Sequence, residues 1–312
     1  MRKHRRFVLG ATLVALALVA GACGSGEDGD GDGNAGDGGD KGTVTVGVSG
    51  AFAENQIVAE MYAQVLENDG FTVERQLDLA SREISQPAME NGEIDVAPEY
   101  LGSLLLFLAP DATGSANPND NRGQLRPLLD EKGISLLESS SVNNTNVFVV
   151  TQGTSGEFSL TAVSGLAEAP TDFVLGGPPE CPERPFCIPG LIETYGVDFT
   201  DRFQPLEFPA RVAALEAGEI DVALLFATDA VIGEKGWVAL DDDGGLQQNE
   251  AITPVVRTEV LDANPEVADL LNEVSAALDI ETMIELNGRV QTDQEDPADV
   301  ARDFLEENGL LG

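Results

Sequence analysis

Basic residues are scarce in this 312-residue chain. Seventeen Lys and Arg face 55 Asp and Glu, a formal net charge of −38. Four of the 17 (Arg2, Lys3, Arg5 and Arg6) sit before the first apolar run; without them 13 basic residues remain, and the charge is −42. That deficit excludes nucleic-acid binding, which needs Lys and Arg for the phosphates. It also works against adhesion to anionic lipid, while self-repulsion favours solubility. Histidine is nearly missing: the one copy is His4. A nucleophilic Cys therefore has no imidazole base, and a zinc site has no His ligand. No metal and no cofactor is expected. A catalytic pair of carboxylates, Glu54 with Glu99, is the enzymatic alternative, but acid pairs arise by chance at this composition. Tyrosines number three and tryptophan one. After residue 20 no stretch is long and apolar enough to cross a bilayer.

What is present at the start reads as an export leader over residues 1–22. A positive segment precedes the apolar run Phe7–Ala20, and Gly21 and Ala22 precede Cys23. The small residues before Cys23 resemble a lipobox, which makes Cys23 the expected lipid-bearing N-terminus and sole membrane anchor. Plain cleavage near Ala22 is the alternative, since Ala20 stands where Leu is commoner. Residues 23–42 are Gly and Asp with almost nothing apolar, an expected disordered tether reaching about 20–25 Å. Asp28, Asp30, Asp32 and Gly33 imitate a calcium loop, but its twelfth position is Gly39 rather than Glu. Cys181 and Cys187, six apart in a Pro-rich loop of an exported chain, are expected to pair. Closing so short a loop stabilises by about 2 kcal/mol in the entropic model.

The body is organised around a repeat. Ala88–Tyr100 returns 126 residues later as Ala214–Phe226, with Gly-Glu-Ile-Asp-Val identical in both. Each copy reads as a helix end, a Gly stop, a short buried strand and an aromatic residue. The pattern predicts strands over 43–48, 71–77, 94–96, 147–151, 173–176, 202–206, 220–226 and 237–240, with 253–256 extended. It predicts helices over 54–68, 81–91, 101–108, 124–132, 161–167, 191–195 and 209–217, and three more after 264. Alternating strands and helices imply mostly parallel sheets. The expected fold is α/β with two lobes, each a mixed, mostly parallel sheet flanked by helices. The expected division is 43–145 plus 252–312 for lobe 1 and 146–251 for lobe 2.

Several motifs together give a resemblance. They include Phe52-Ala53-Glu54-Asn55, Pro98-Glu99-Tyr100-Leu101-Gly102-Ser103, Asn143-Asn144-Thr145, Pro189-Gly190-Leu191, Thr228-Asp229 and Pro254-Val255-Val256-Arg257. From about Thr43 onward the chain resembles the OpuAC-type substrate-binding proteins of ABC importers, which take up glycine betaine, choline, carnitine and proline betaine. The resemblance implies a type II periplasmic-binding-protein architecture, delivery of a small cationic or zwitterionic solute to a permease with its ATPase, and a monomer outside the cytoplasm. A sensor of the same fold is the alternative, as is a receptor for another small polar solute. The resemblance also implies that Tyr100 and Ser103 face the cleft from the first lobe and Phe226 from the second. Phe52, Glu54, Asn146 and Arg184 join them as candidate ligand contacts, and Phe148 is a weaker one. The chain departs from the family where tyrosines are expected. Asn146 follows Asn-Asn-Thr, and Asn249 and Glu250 precede Pro254. A cage of tyrosines alone is therefore excluded. Arg82 and Arg211 open corresponding helices; one is a candidate carboxylate holder, with surface ion pairs the plainer role.

Overall fold

The computed structural model describes residues 41–50 and 52–312. The leader, Cys23 and nearly all of the tether lie outside the described residues. Lys41 and Gly42, the last two residues assigned to the tether, are already held by the body. The Lys41 ammonium donates to Asp69 at 2.6 Å and Glu266 at 3.1 Å, and the Gly42 carbonyl accepts from the Thr72 N–H at 3.0 Å.

Among the described residues ten strands form two five-stranded sheets. They are β1 (Thr43–Ser49), β2 (Thr72–Leu79), β3 (Val96–Tyr100), β4 (Ile134–Leu136), β5 (Asn146–Val150), β6 (Leu175–Gly177), β7 (Phe203–Pro205), β8 (Val222–Phe226), β9 (Val238–Ala239) and β10 (Ile252–Arg257). The sheet orders are β2-β1-β3-β10-β4 and β7-β6-β8-β5-β9. In each, four strands run in one direction and the fourth in order, β10 or β5, lies antiparallel between its two neighbours. The two sheets thus share one topology, as expected of a mixed, mostly parallel two-lobed fold. Each antiparallel strand, β5 and β10, is entered directly from the other sheet's side of the chain, so the chain crosses twice. Pro98 and Pro254 stand opposite one another in the β3–β10 ladder, so two missing N–H donors fall in one rung.

The first sheet packs on the Ala53–Asn68 helix, whose Ile57, Val58, Met61, Tyr62, Val65 and Leu66 are all buried. Val267, Leu271, Met283, Leu286, Val300 and Phe304, from the three C-terminal helices, complete the same core. From β10 onward the chain therefore belongs to the first sheet and its core. The second sheet has its own core around Phe148, Leu175, Val222 and Leu224, which also takes in Cys181 and Cys187. These cysteines are disulfide-bonded with Cα atoms 5.3 Å apart.

The repeat has a physical basis in each of its residues. Gly92 (φ +78°) and Gly218 (φ +71°) take the left-handed position after their helices. Behind them Glu93 and Glu219 N–H donate to the Ala88 and Ala214 carbonyls, at 2.8 and 2.9 Å. Asp95 and Asp221 each accept a backbone N–H from the adjacent parallel chain, Thr45 at 2.9 Å and Val174 at 2.8 Å. Ile94 and Ile220 are buried against glycines of the neighbouring strands. A Cβ on Gly47 would lie 2.4 Å from Ile94 Cδ1, and one on Gly176 would lie 2.4 Å from Ile220 Cδ1.

Elsewhere the elements differ from expectation for local reasons. The helix expected over 124–132 begins at Pro118, because Asn117 accepts the Asn119 N–H at 3.0 Å and proline suits the first helical position. Thr151 caps a short helix, Gln152–Phe158, where none was expected. The segment 161–167 tightens into a 3₁₀ turn at Val163–Ala167. β4 adds a three-residue edge that carries too little pattern to read.

Gly47→Ala and Gly176→Ala are expected to cost about 1–3 kcal/mol each by overpacking against the paired isoleucine. Gly123 lies inside the Pro118–Asp130 helix, where an added methyl would meet no other atom within 4 Å. Gly123→Ala should therefore stabilise by about 0.5–1 kcal/mol. Urea denaturation of the three variants separates the signs; equal effects at all three would refute the packing account.

Candidate functional site

Between the sheets the two crossings run side by side. Asn143 and Ala251 form an antiparallel bridge. The Asn144 N–H donates to the Glu250 carbonyl at 3.2 Å, and the Glu250 N–H donates to Asn143 Oδ1 at 2.8 Å. Tyr100 ends β3 and Phe226 ends β8, so both stand at carboxyl ends of strands, where open α/β sheets take ligands.

Glu54 sits at the base of this junction, in the first turn of the Ala53–Asn68 helix and 2% exposed. Its Oε1 accepts from the Tyr100 hydroxyl at 2.7 Å and from Asn144 Nδ2 at 2.8 Å; its Oε2 accepts from Asn287 Nδ2 at 3.2 Å. The Thr228 hydroxyl donates to Asn144 Oδ1 at 2.9 Å, and Asn287 also donates to the Thr228 carbonyl at 3.0 Å. Every donor to Glu54 is neutral. Burial therefore pushes its pKa up, against the downward pull of Thr228, Tyr100, Asn287 and Asn144. The Tyr100 phenol is pushed well up by burial and then by the Glu54 charge beside it.

Above the carboxylate three rings meet. Phe52, the residue before the helix, lies 6.0 Å from Tyr100 and 5.3 Å from Phe226, centroid to centroid, with both pairs tilted. Phe52 and Phe226 are half-buried. Asn146 is the cross-strand partner of Phe226, which puts the two side chains on one face, and its amide donates to Gln247 Oε1 at 3.3 Å.

The other candidates lie elsewhere or are engaged. Ser103, half-buried one turn past Tyr100, donates its hydroxyl to Glu250 at 2.8 Å and its N–H at 2.9 Å. Glu250 is 8% exposed and caps the Leu101–Leu108 helix by accepting the Ser103 N–H. Burial raises its pKa, with the Ser103 donors, Gln248 and the Arg82 charge opposing. Phe148 is 1% exposed in the second core, two residues inward of Asn146 and opposite Leu224. It packs that core and does not reach the cleft. Arg184 is exposed on the disulfide loop, close enough to Glu83 for its charge to act there. Arg82 holds Glu99 through three contacts of 2.7–3.2 Å, so Glu99 is taken up and forms no pair with Glu54. Asp229 accepts the Phe226 N–H at 2.9 Å and fixes the turn behind that ring.

Sequence reasoning does not single out Asn144, Thr228 or Asn287. The first two lie inside motifs that carry the resemblance. Asn287 has only a weak sign, a polar residue between Leu286 and Gly288 on the buried side of a helix. Among the described residues no group of three or more His, Cys, Asp or Glu is arranged to hold a metal ion. Nor is any of their helices long and apolar enough to cross a membrane.

Comparison with known proteins follows the geometry. Residues 42–307 match the family model described as the substrate binding domain of ABC-type glycine betaine transport systems. The glycine betaine-binding protein YehZ of Escherichia coli K12 is 28% identical over 268 residues, covering 82% of this chain and 88% of that protein. The carnitine transport binding protein OpuCC of Listeria monocytogenes is 27% identical over 279 residues, covering 88% and 89%. A crystal structure of a glycine betaine/carnitine/choline ABC transporter protein superposes with a TM-score of 0.73 at 26% identity, covering 86% of this chain and 99% of that one. With most of its length matched and two like-built sheets meeting at two crossings, the chain belongs to the family of substrate-binding domains of ABC-type glycine betaine transport systems.

Proposed function

We propose that this protein binds a small quaternary-amine osmolyte, such as glycine betaine, choline or carnitine, between its lobes and delivers it to an ABC permease. In this reading it is a binding protein and not an enzyme. It acts outside the cytoplasm as a monomer, tethered through residues 23–42 and a lipid on Cys23. Lobe 1 takes residues 43–145 and 252–312, and lobe 2 takes 146–251.

One observation carries the reading: three aromatic rings drawn from both sheets meet over a buried carboxylate that has only neutral partners. A quaternary ammonium has no N–H to donate, so hydrogen-bond acceptors cannot capture it directionally. Ring faces attract it at about 0.5–2 kcal/mol each. A nearby carboxylate adds charge attraction, strengthened where water is excluded. Phe52 and Phe226 are in contact at 5.3 Å, too close for a trimethylammonium group to lie between them. Entry therefore requires the lobes to part, and the two adjacent crossings provide a hinge.

Isothermal titration with glycine betaine, proline betaine, choline and carnitine should find at least one ligand; binding of none would sink the quaternary-amine reading. Tyr100→Ala and Phe226→Ala should each weaken that ligand by roughly 2–30-fold, the range of one ring face. Unchanged affinity in both would remove these residues from the site.

Protonation of Glu54 competes with a cation, so affinity should fall as pH drops through the raised Glu54 pKa, approaching tenfold per unit at the limit. Glu54→Gln should flatten that dependence. Stability runs the other way. A carboxyl whose folded pKa is raised contributes stability present below the ordinary carboxylate range and lost as pH rises through the folded value. The thermal midpoint of the free protein should then depend less on pH in Glu54→Gln than in the wild type. An identical pH profile in both proteins would show that Glu54 does not titrate as described.

A further inference from the structure

The Pro118–Asp130 helix breaks three local rules on one face. Its buried side carries Asn121, Leu125 and Leu129. Arg122, Gly123, Arg126, Pro127 and Asp130 recur at helical spacing on the other side and line an open depression of about 360 Å³. Arg122 and Arg126 stand four residues apart, where like charges repel. Gly123 lies inside the helix, where glycine is less favourable than alanine. A Cβ there would meet nothing within 4 Å, so no packing contact requires the glycine. Pro127 also lies inside the helix and has no N–H, which removes the ordinary donor to the Gly123 carbonyl one turn earlier. Each departure weakens the helix, and proteins keep such departures where a function needs them.

The charge is equally out of place. In a chain of net charge −38 this face presents two guanidiniums and one acid, Asp130. Arg126 is exposed and makes no hydrogen bond or ion pair among the described residues. Arg122 is fixed in place. Its Nη1 donates to the Leu137 carbonyl at 2.6 Å and to the Ser139 hydroxyl at 3.0 Å. Its carboxylate neighbour, Glu138, lies 3.4 Å from Nη2 on a side chain that is 73% exposed. The two close acceptors are neutral, so the charge of Arg122 is poorly compensated. Burial, helped by the Arg126 charge, pushes the Arg122 pKa down against the pull of Glu138.

We propose that this face of the Pro118–Asp130 helix is a docking surface for an acidic segment of a protein partner. Arg122 and Arg126 meet the carboxylates of the segment. The notch at Gly123 lets its backbone come close enough to give an N–H to the Gly123 carbonyl. A peptide carries both acceptors and a donor; the phosphodiester of a lipid headgroup has acceptors alone. An open depression leaves a free small solute uncovered, whereas pockets for such ligands bury most of their surface. An acidic segment is repelled by most of a surface bearing 55 acids, so the arginine pair also fixes where it lands. The surface shares no residue with the three-ring site and is independent of what that site binds.

A capped peptide of alternating glycine and glutamate is the probe, with lysine in place of glutamate as the control. Each is titrated into isotope-labelled protein at physiological ionic strength, where distant acids are screened beyond about 8 Å. The acidic peptide should shift amide resonances of the Pro118–Asp130 helix, and the lysine peptide should act elsewhere. Arg126→Gln should weaken the acidic peptide about 2–5-fold, the scale of one exposed ion pair. Adding Arg122→Gln should bring the loss to about tenfold. Gly123→Ala should raise the thermal midpoint and yet weaken the peptide, a split that a purely structural glycine would not give. If Arg122→Gln does not fold, Arg126→Gln and Gly123→Ala decide. No shift of that helix, equal shifts by the lysine peptide, or shifts unchanged in Arg126→Gln and Gly123→Ala overturn the proposal. So does a helix that responds to phosphatidylglycerol vesicles and not to the peptide. A wild type that sediments as an Arg126-dependent dimer also overturns it, by making a second copy the occupant.

Discussion

A carboxylate buried without a base is the constraint on which the middle of this molecule turns. Glu54 is nearly sealed from solvent, yet Tyr100, Asn144 and Asn287 are its hydrogen-bond donors. Removing an ion from water without a counter-ion is costly unless its lone pairs are met. The donors come from the end of β3, from the first crossing and from a C-terminal helix, and the network continues through Asn144 to Thr228 beyond β8. One side chain thus ties three remote stretches of lobe 1 and its crossing to the segment that carries Phe226. On the proposed reading, parting the lobes would separate Asn144 and Thr228 from Glu54 and so link its protonation to lobe position.

The repeat shows how far sequence alone can reach. Five identical residues imply two like-built units, and the structure gives each residue the same task twice: glycine at the helix stop, isoleucine against a glycine of the next strand, aspartate on a backbone N–H. These contacts are local within a strand–helix–strand unit, so pattern and spacing carry them. Tyr100 and Phe226 are readable from the pattern as strand-end aromatics, and their reading as ligand contacts, with that of Phe52, comes from the resemblance. Their mutual contact is not readable, since it depends on how two separately built sheets meet.

Phe148 illustrates the limit on a strand. It shares a face with Asn146, since side chains alternate, but sits about 7 Å farther inward at strand spacing. Periodicity gives the face and not the depth, and depth decides whether an aromatic residue packs a core or lines a cleft. Glu250 and Asn287 mark a second limit. Their decisive contacts span 147 and 233 residues of sequence, with no local pattern to announce them. In the sequence Glu250 is one more acid before Pro254; in space it caps the helix that follows Tyr100.

The charge of the chain works differently at long and short range. An excess of acid draws cations from a distance, with a pull that salt screens within about 8 Å at physiological ionic strength. A zwitterion feels little of that pull, because its two ends cancel. It must be selected at contact, by groups of opposite sign set a molecule's length apart. In a chain with 55 acids, supplying the negative end is easy and supplying the positive end is hard. Most arginines here are engaged by the surrounding acids, as Arg75 is by Glu60 and Glu67 and Arg289 by Glu295 and Asp303. A cation meant for a ligand has to be kept from such partners. Arg211 is kept from them by burial beside a strand whose position matching Glu99 is Leu225, and Arg184 by its exposure on the disulfide loop, where no ion pair within 4 Å holds it among the described residues.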